Sequence, residues 1–536
     1  MTLRTLLLTC LLALPMPLWA GGMAIHMFQS EKALERIEDP DLQQLLTVHR
    51  EAWISGTQYP DAGYSPGFLG QPSHVWGEAS HWAPFILEYL TAVKAQCLGR
   101  YLSDPDCGRL AAHFLGAAAH GMQDQVFDSL FIPKVTEVDH RGQETTDTGI
   151  DMILLQEHDR RAFVPRQWYT PVDVLEGVYR RMGFSEAEAN RKQIITAAGI
   201  SRLGNIGERI AAPALYHHFK AQMPWGSRNY VRYPGGVEFG GKVVANFWHY
   251  LWRRLNDQPL PARAALTHLP VADAVNVAID KRNTDIQISI TFDRYLIPAS
   301  VSADSFIVTD ESGHRVSGRI GLFADPRDDV ANANMLYFRP NETLLPETRY
   351  EVQLSGAILD DEGNSILGLE GYRWQFTTEA ARSYVQLHSQ DLCLGLRHYA
   401  PDDTTLAVEL HRCRVTRHQH WYVDDTGRWH NRERPDLCLQ PRGGNIRIAA
   451  VLEAARCSDH AAQQWLQDAT TATVTALTQP MLAWGTFLRG WAGVQVGLLP
   501  LRLDARQQWH ARPVVIDTAC RSADVYSLCW AEVAGE

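Results

Sequence analysis

The chain has 536 residues, 45% of them hydrophobic and 21% charged, with a formal net charge of −11. Such a length exceeds one hydrophobic core and points to three or four domains. The acidic balance argues against a broad nucleic-acid surface, which needs a basic face. It leaves room for a phosphate substrate at a bound cation.

Residues 1–20 read as a signal peptide: Arg4 precedes an apolar run from Leu6 to Leu14, and Ala20 ends the segment. The run is too short, and too interrupted by Pro15 and Pro17, to span a bilayer. No later stretch is long and apolar enough for a transmembrane segment. Export to the periplasm or the extracellular space is therefore expected. Beyond Cys10, eight cysteines remain in four local pairs: Cys97 with Cys107, Cys393 with Cys413, Cys438 with Cys457, and Cys520 with Cys529. An even count in an exported chain favours disulfides over metal thiolates.

From residue 21 to about 258 the apolar periodicity is helical, in segments 82–96, 109–131, 172–182, 186–199, 204–222 and 240–254. Ser185 and Glu188 form a capping-box pattern before one of them. The stretch from Leu255 to Asp273, with three prolines, reads as a linker. Period-two alternation follows at Ile286–Phe292, with further short strands up to Thr377, which suggests a β-sandwich over residues 263–379.

Residues 383–512 contain an internal repeat. Gln419-His-Trp421, Gln463-Gln-Trp465 and Gln507-Gln-Trp509 are one triplet recurring at 44-residue spacing. Cys413 and Cys457 are also 44 residues apart, and Cys393 and Cys438 are 45 apart. A fixed period of this kind means repeated units sharing one core, with one disulfide inside each of the first two. Residues 513–536 form a tail that Cys520 and Cys529 would close.

The chemistry-bearing cluster lies on the helix spanning about 108–130. His113, His120, Asp124 and Asp128 recur at spacings of 7, 4 and 4, on one helical face. Asp147 and Asp151 form another i, i+4 pair, and His26, Asp61, His74 and His81 lie upstream. Imidazole with carboxylate is a ligand set that zinc accepts. A polar stripe on a helix is more commonly solvated surface, so spacing alone leaves both readings open.

The ordered set Gly22-Met-Ala-Ile-His26, Tyr59-Pro-Asp61, Ser80-His81-Trp82 and His120-x-x-x-Asp124 resembles the zinc-dependent phospholipase C family. It is especially similar to the catalytic domain of the glycosylphosphatidylinositol-specific phospholipases D. The resemblance covers roughly residues 21–255 and implies an all-α catalytic domain, residues 21–258, holding two or three zinc ions. It implies that Asp61, His81, His120 and Asp124 ligate the first metal, with Asp124 and His26 at a neighbouring one. In one branch the mature α-amino group also ligates; here it would belong to Gly21. Asp128 stands where the family carries histidine, and Asp147 and Asp151 replace a later His/Glu pair, with His140 a further candidate. Carboxylates there would suit calcium or magnesium better than zinc.

The implied activity is phospholipase C hydrolysis of phosphatidylcholine-like lipids at a membrane surface through a metal-bound hydroxide, with Asp61 orienting or deprotonating the water. Tyr64, Phe68 and Trp76 are candidates for a headgroup pocket, or else core. His113, His217 and His218 read as structural or surface residues. Alternatives are a glycosylphosphatidylinositol-type phospholipase D or a nuclease with the same cage, and a non-catalytic secreted lectin or adhesin. Residues 263–379 resemble a bacterial Ig-like domain, and 383–512 resemble a ricin-type β-trefoil. Glycan binding by the latter is open, because Gly395 and Gln440 stand where that family's sugar-binding aspartates fall.

Overall fold

The computed structural model describes residues 22–158, 167–279, 288–323, 334–341, 343–397, 403–414, 416–487, 492–514 and 530–532. The signal segment and the Cys520–Cys529 pair lie outside the described residues.

The N-terminal half is helical. In chain order the helices are α1 Met23–Leu34, α2 Pro40–Val48, α3 Arg50–Thr57, α4 Tyr59–Ala62, α5 Val75–Ala79, α6 Ala83–Cys97, α7 Pro105–Val126, α8 Ile132–Asp139, α9 Gln143–Glu157, α10 Val172–Arg181, α11 Arg191–Gln222, α12 Gly226–Asn229 and α13 Val237–Leu255. Helix α7 starts where Asp104 accepts the Asp106 and Cys107 amides, with Pro105 in the first turn. It runs through the middle of the domain, and Leu110, Phe114, Leu115 and Val126 are all buried. Its end is a π-helical turn, Phe127–Phe131, not the continuous α-helix that the periodicity suggests. The capping box at Ser185 and Glu188 closes only a turn. Helix α11 begins after a second box, Asn190 with Gln193, and unites two expected segments into 32 residues across Pro213.

Two sheets follow. One has the order β1-β3-β6-β5-β21 and the other β2-β8-β7-β4. Their strands are β1 Leu266–Leu269, β2 Ala274–Val277, β3 Ile288–Phe292, β4 Phe306–Asp310, β5 Gly318–Phe323, β6 Met335–Pro340, β7 Arg349–Leu354, β8 Tyr372–Thr378 and, from the tail, β21 Trp530–Glu532. Their inner faces share a core that includes Ile290, Val308, Val352 and Trp374.

Among the described residues the repeat forms twelve strands, four per unit. The first unit has β9 Val385–Ser389, β10 Leu392–Leu396, β11 Thr405–Arg412 and β12 Trp421–Val423. The second has β13 Trp429–Asn431, β14 Leu437–Pro441, β15 Leu452–Arg456 and β16 Trp465–Asp468. The third has β17 Thr473–Ala476, β18 Gln479–Thr486, β19 Val494–Pro500 and β20 His510–Pro513. Each Gln-x-Trp triplet acts identically. The indole N–H groups of Trp421, Trp465 and Trp509 donate to the Leu394, Leu439 and Trp484 carbonyls at 2.8, 2.9 and 3.1 Å. The glutamines accept the Arg414, Ser458 and Arg502 amides at 2.8, 2.8 and 2.7 Å. Disulfides join Cys97–Cys107, Cys393–Cys413 and Cys438–Cys457.

The three regions pack together. Tyr250 and Arg254 of α13 bond the Asp361 carboxylate at 2.8 and 3.0 Å. Gln125, on α7, donates to Asn334 beside β6. Buried Lys134 lies 3.6 Å from Glu433 of the repeat. Between sandwich and repeat, fully buried Glu379 accepts from Arg417 at 3.2 Å and from Arg432 at 3.1 Å. Removing one partner of such a buried pair leaves a charge without compensation. Glu379→Ala, which leaves both arginines buried without their carboxylate, is expected to destabilise the protein by about 3–5 kcal/mol, read from the chemical denaturation midpoint.

Candidate metal centre

Three close backbone approaches build the site. A Cβ on Gly116 would lie 2.1 Å from the Trp53 carbonyl oxygen, and one on Gly56 would lie 2.1 Å from that of His113. Only glycines let α3 and α7 approach this far. The approach brings the Thr57 carbonyl to 2.7 Å from His120 Nδ1. A Cβ on Gly121 would lie 2.1 Å from the His81 carbonyl oxygen, so His81 rests directly on α7. His81 Nδ1 in turn meets the Gly77 carbonyl at 2.9 Å.

A carbonyl only accepts, so Nδ1 of both rings carries the proton and Nε2 of each is turned inward. The two Nε2 atoms are 3.0 Å apart. His81 Nε2 lies 3.5 Å from Asp61 Oδ1 and 3.5 Å from Asp124 Oδ2, and His120 Nε2 lies 3.6 and 3.2 Å from the same oxygens. A tetrahedral zinc with bonds of about 2.0–2.1 Å has ligand–ligand edges of about 3.3 Å. These five separations match that figure. Asp124 also reaches the other way, with Oδ1 3.1 Å from His26 Nε2. Its carboxylate thus joins two subsites, Asp61/His81/His120 and His26/His120/Asp124, whose ligand atoms lie within 4.8 Å of one another. Imidazole nitrogens and carboxylate oxygens converge here at ligand-to-ligand spacing, which is the donor set a divalent cation fits.

Electrostatics divide the cage. Burial works against charge on His120, but the Asp124 and Asp61 carboxylates outweigh it and hold its pKa well above the usual value. Burial opposes ionisation of Asp61 and Asp124 too, but His120, with His81 at Asp61 and His26 at Asp124, pulls both below the carboxylate range. Across the cage burial and neighbouring carboxylates outweigh what His120 contributes. Asp128, on the π turn, accepts from Gln143 Nε2 at 2.7 Å, and burial with the Asp124 and Asp61 charges raises its pKa. Asp147 is raised by burial and by Asp128, Asp124 and Asp151. Asp151 is pushed by burial to about 7. Both Asp151 oxygens are engaged, accepting the Ala24 and Ile25 amides at 2.7 and 2.9 Å, so this carboxylate anchors the start of α1 beside His26.

Other candidates fall elsewhere. His113 is buried against the Tyr89 hydroxyl at 3.0 Å, and burial lowers its pKa to about 3. His74 stacks near Trp76 at 5.8 Å. His140 caps α8 in a left-handed conformation. His217 and His218 are exposed. Trp76 is buried against Tyr59, while half-buried Tyr64 lies 5.6 Å from the His81 ring and donates to Glu78. Gly21 and the Phe68 side chain lie outside the described residues. Sequence reasoning missed Glu208 of α11. Its Oε2 is buried without a partner, and burial, Asp151 and Asp61 raise its pKa. Its signal was being the sole acid on a 32-residue helix.

A bacterial Ig-like domain model matches residues 262–378. Phosphatidylinositol-glycan-specific phospholipase D from Homo sapiens is 24% identical over 243 residues, covering 42% of this chain and 28% of that protein. The same-named Bos taurus protein is also 24% identical over 243 residues, with equal coverage. The Mus musculus protein is 23% identical over 272 residues, covering 49% and 31%. The chain therefore spans less than a third of the length of these curated relatives. Among solved structures, the earthworm R-type lectin C-half in complex with GalNAc is 11% identical at a TM-score of 0.22, covering 25% of this chain and 100% of that one. The Vibrio vulnificus hemolysin/cytolysin β-trefoil lectin is 20% identical at 0.21, covering 26% and 99%. The description of the repeat rests on its own strand pattern.

Two measurements check the centre. Gly121→Ala is expected to displace His81 and weaken zinc binding about 10- to 100-fold, measured against a competing chelator. Gly199→Ala, with nothing within 4 Å of the new methyl, leaves affinity unchanged. In metal-free protein, a folded pKa of about 7 for Asp151, against about 3.9 unfolded, favours the native state while the group is protonated. That stabilisation is complete below the unfolded pKa and lost as pH rises through about 7. The Tm of chelated protein should therefore fall from pH 5 to pH 8, less steeply in Asp151→Asn, and zinc at pH 8 should restore it.

Proposed function

We propose that this chain is a secreted, metal-dependent phosphodiesterase that hydrolyses phospholipids, cutting phosphatidylcholine-like lipids in the phospholipase C manner. The observation that carries the reading is the convergence of Asp61, His81, His120 and Asp124 at separations of 3.0–3.6 Å with both histidine Nδ1 atoms blocked by carbonyls. Zinc is the metal proposed for that side and for the His26 subsite. Asp128 and Asp147 are proposed to favour a harder cation, calcium or magnesium.

Cations held there neutralise phosphoryl charge and make a bound water acidic. The side chains do the rest. Asp61 turns Oδ1 to the two histidines and keeps Oδ2 buried without a partner, placed to orient or deprotonate the attacking water. Asp124 keeps the two subsites at fixed separation through its two oxygens. Its side chain is 28% exposed, so the cage opens to solvent on that side.

A second reading, cleavage on the other side of phosphorus, is favoured by the phospholipase D names of the curated relatives. The Ig-like region is read as a spacer, and glycan binding by the repeat remains part of the proposal. Its two aspartate positions are Gly395 and Gln440, which pair across the sheet with Glu409 and Glu453.

Zinc-loaded protein is expected to release phosphocholine and diacylglycerol from phosphatidylcholine vesicles; phosphatidic acid would instead establish the second reading. His120→Ala and Asp124→Ala should each abolish hydrolysis and lower bound metal while leaving the circular dichroism spectrum largely intact. Hydrolysis unchanged after thorough chelation would overturn the proposal.

A further inference from the structure

Helix α11 is apolar on two faces. Its inner face packs Ile194, Ala197, Ala198, Ala212 and Phe219 into the domain. At about 100° per residue, Ile195, Leu203 and Ile210 lie together on the opposite face, and they are 50%, 68% and 59% exposed. Gly199 is exposed between them. An ordinary surface helix turns charge outward at these positions. A contiguous exposed apolar ridge marks an interaction surface.

The charge on this helix is also unlike that of the chain. It carries five cations, Arg191, Lys192, Arg202, Arg209 and Lys220, against one acid, Glu208. The chain as a whole is at −11. Glu208 turns inward to the cage, where it feels Asp151 and Asp61. Lys192 and Arg202, beside the ridge, are exposed. An apolar stripe flanked by cations is the pattern of a helix lying in a lipid interface, where apolar insertion and attraction to anionic headgroups act together.

The inner side of the same helix packs on the elements that carry the site. Ser65 Oγ donates to the Ala197 carbonyl at 2.9 Å, tying α11 to the turn that follows Asp61. That turn and the start of α5 expose Leu69 at 66% and Val75 at 51%. Ser201 contacts Met23, next to the α1 start that Asp151 anchors. One helix, about 10 Å across, therefore separates the ridge from the cage.

We propose that the outer face of α11 is the surface by which this protein docks on an anionic phospholipid bilayer. The proposal rests on the phospholipid reading above for its occupant: Lys192 and Arg202 beside the ridge suit anionic headgroups, whereas a two-fold pair of copies would set those same cations against each other.

The test uses the full mature protein and the double variant Leu203→Asp/Ile210→Asp. Readouts are co-sedimentation with phosphatidylcholine/phosphatidylglycerol vesicles, hydrolysis of those vesicles, turnover of a soluble nitrophenyl phosphodiester, and Tm. The expected result is at least about a tenfold loss of vesicle binding and a matching loss of vesicle hydrolysis, with soluble turnover and Tm unchanged. Arg202→Glu should weaken binding to the anionic vesicles more at low salt than at high salt. Unchanged vesicle binding in the double variant overturns the proposal. So does a parallel loss of soluble turnover, or a dimer that the variant dissolves while vesicle binding persists. If the wild-type protein binds vesicles through the ridge but hydrolyses neither substrate, the enzymatic reading falls and the docking surface stands.

Discussion

Two backbone carbonyls, Thr57 O and Gly77 O, govern the centre of this protein. Neither has a proton to give, so His120 and His81 must each present Nδ1–H to them and turn Nε2 inward. The resulting acceptors face one another at 3.0 Å. Two imidazoles without a shared cation or added protons would repel at that distance. The contacts that hold the carbonyls in place are glycine contacts, at Gly56, Gly116 and Gly121, where any side chain would overlap a neighbouring carbonyl. The path runs from small residues to close helix packing, then to tautomer, then to a ligand set.

The opposite side of the cage obeys a different constraint. Asp128, Asp147 and Asp151 share one low-dielectric region, where burial and neighbouring carboxylates raise the pKa of all three. Asp151 is half satisfied by the α1 amides. The remaining carboxylates are satisfied by protons or by a cation, and these compete.

Local periodicity made part of this legible in the sequence. His120 and Asp124 are one helical turn apart, and that spacing survives in α7. The 44-residue recurrence of Gln-x-Trp reappears as three matching indole-to-carbonyl bonds. Other features depend on distant partners. Asp151 reads as a ligand by spacing, yet its oxygens meet amides 126 and 127 residues away. Asp128 follows Asp124 by four residues, but a π turn carries it and changes its direction. His113 shares the stripe of His120, but two turns along the helix the neighbour is Tyr89 rather than another ligand. The glycines gave no signal, because close approach is a property of pairs of helices and not of one segment.

Helix α7 also has a far side. The turn that bears Asp124 continues into Gln125, bonded to Asn334, and into Ser129, against Met335. Lys134, just beyond, is enclosed with Glu433 from the repeat. The chain reads as a string of interchangeable modules, but these contacts set the sandwich against the back of the helix that carries His120 and Asp124. Recombining the helical half with some other C-terminal partner would uncover the back of the very helix that holds His120. Such a chimera inherits the ligands without the brace that keeps them aligned.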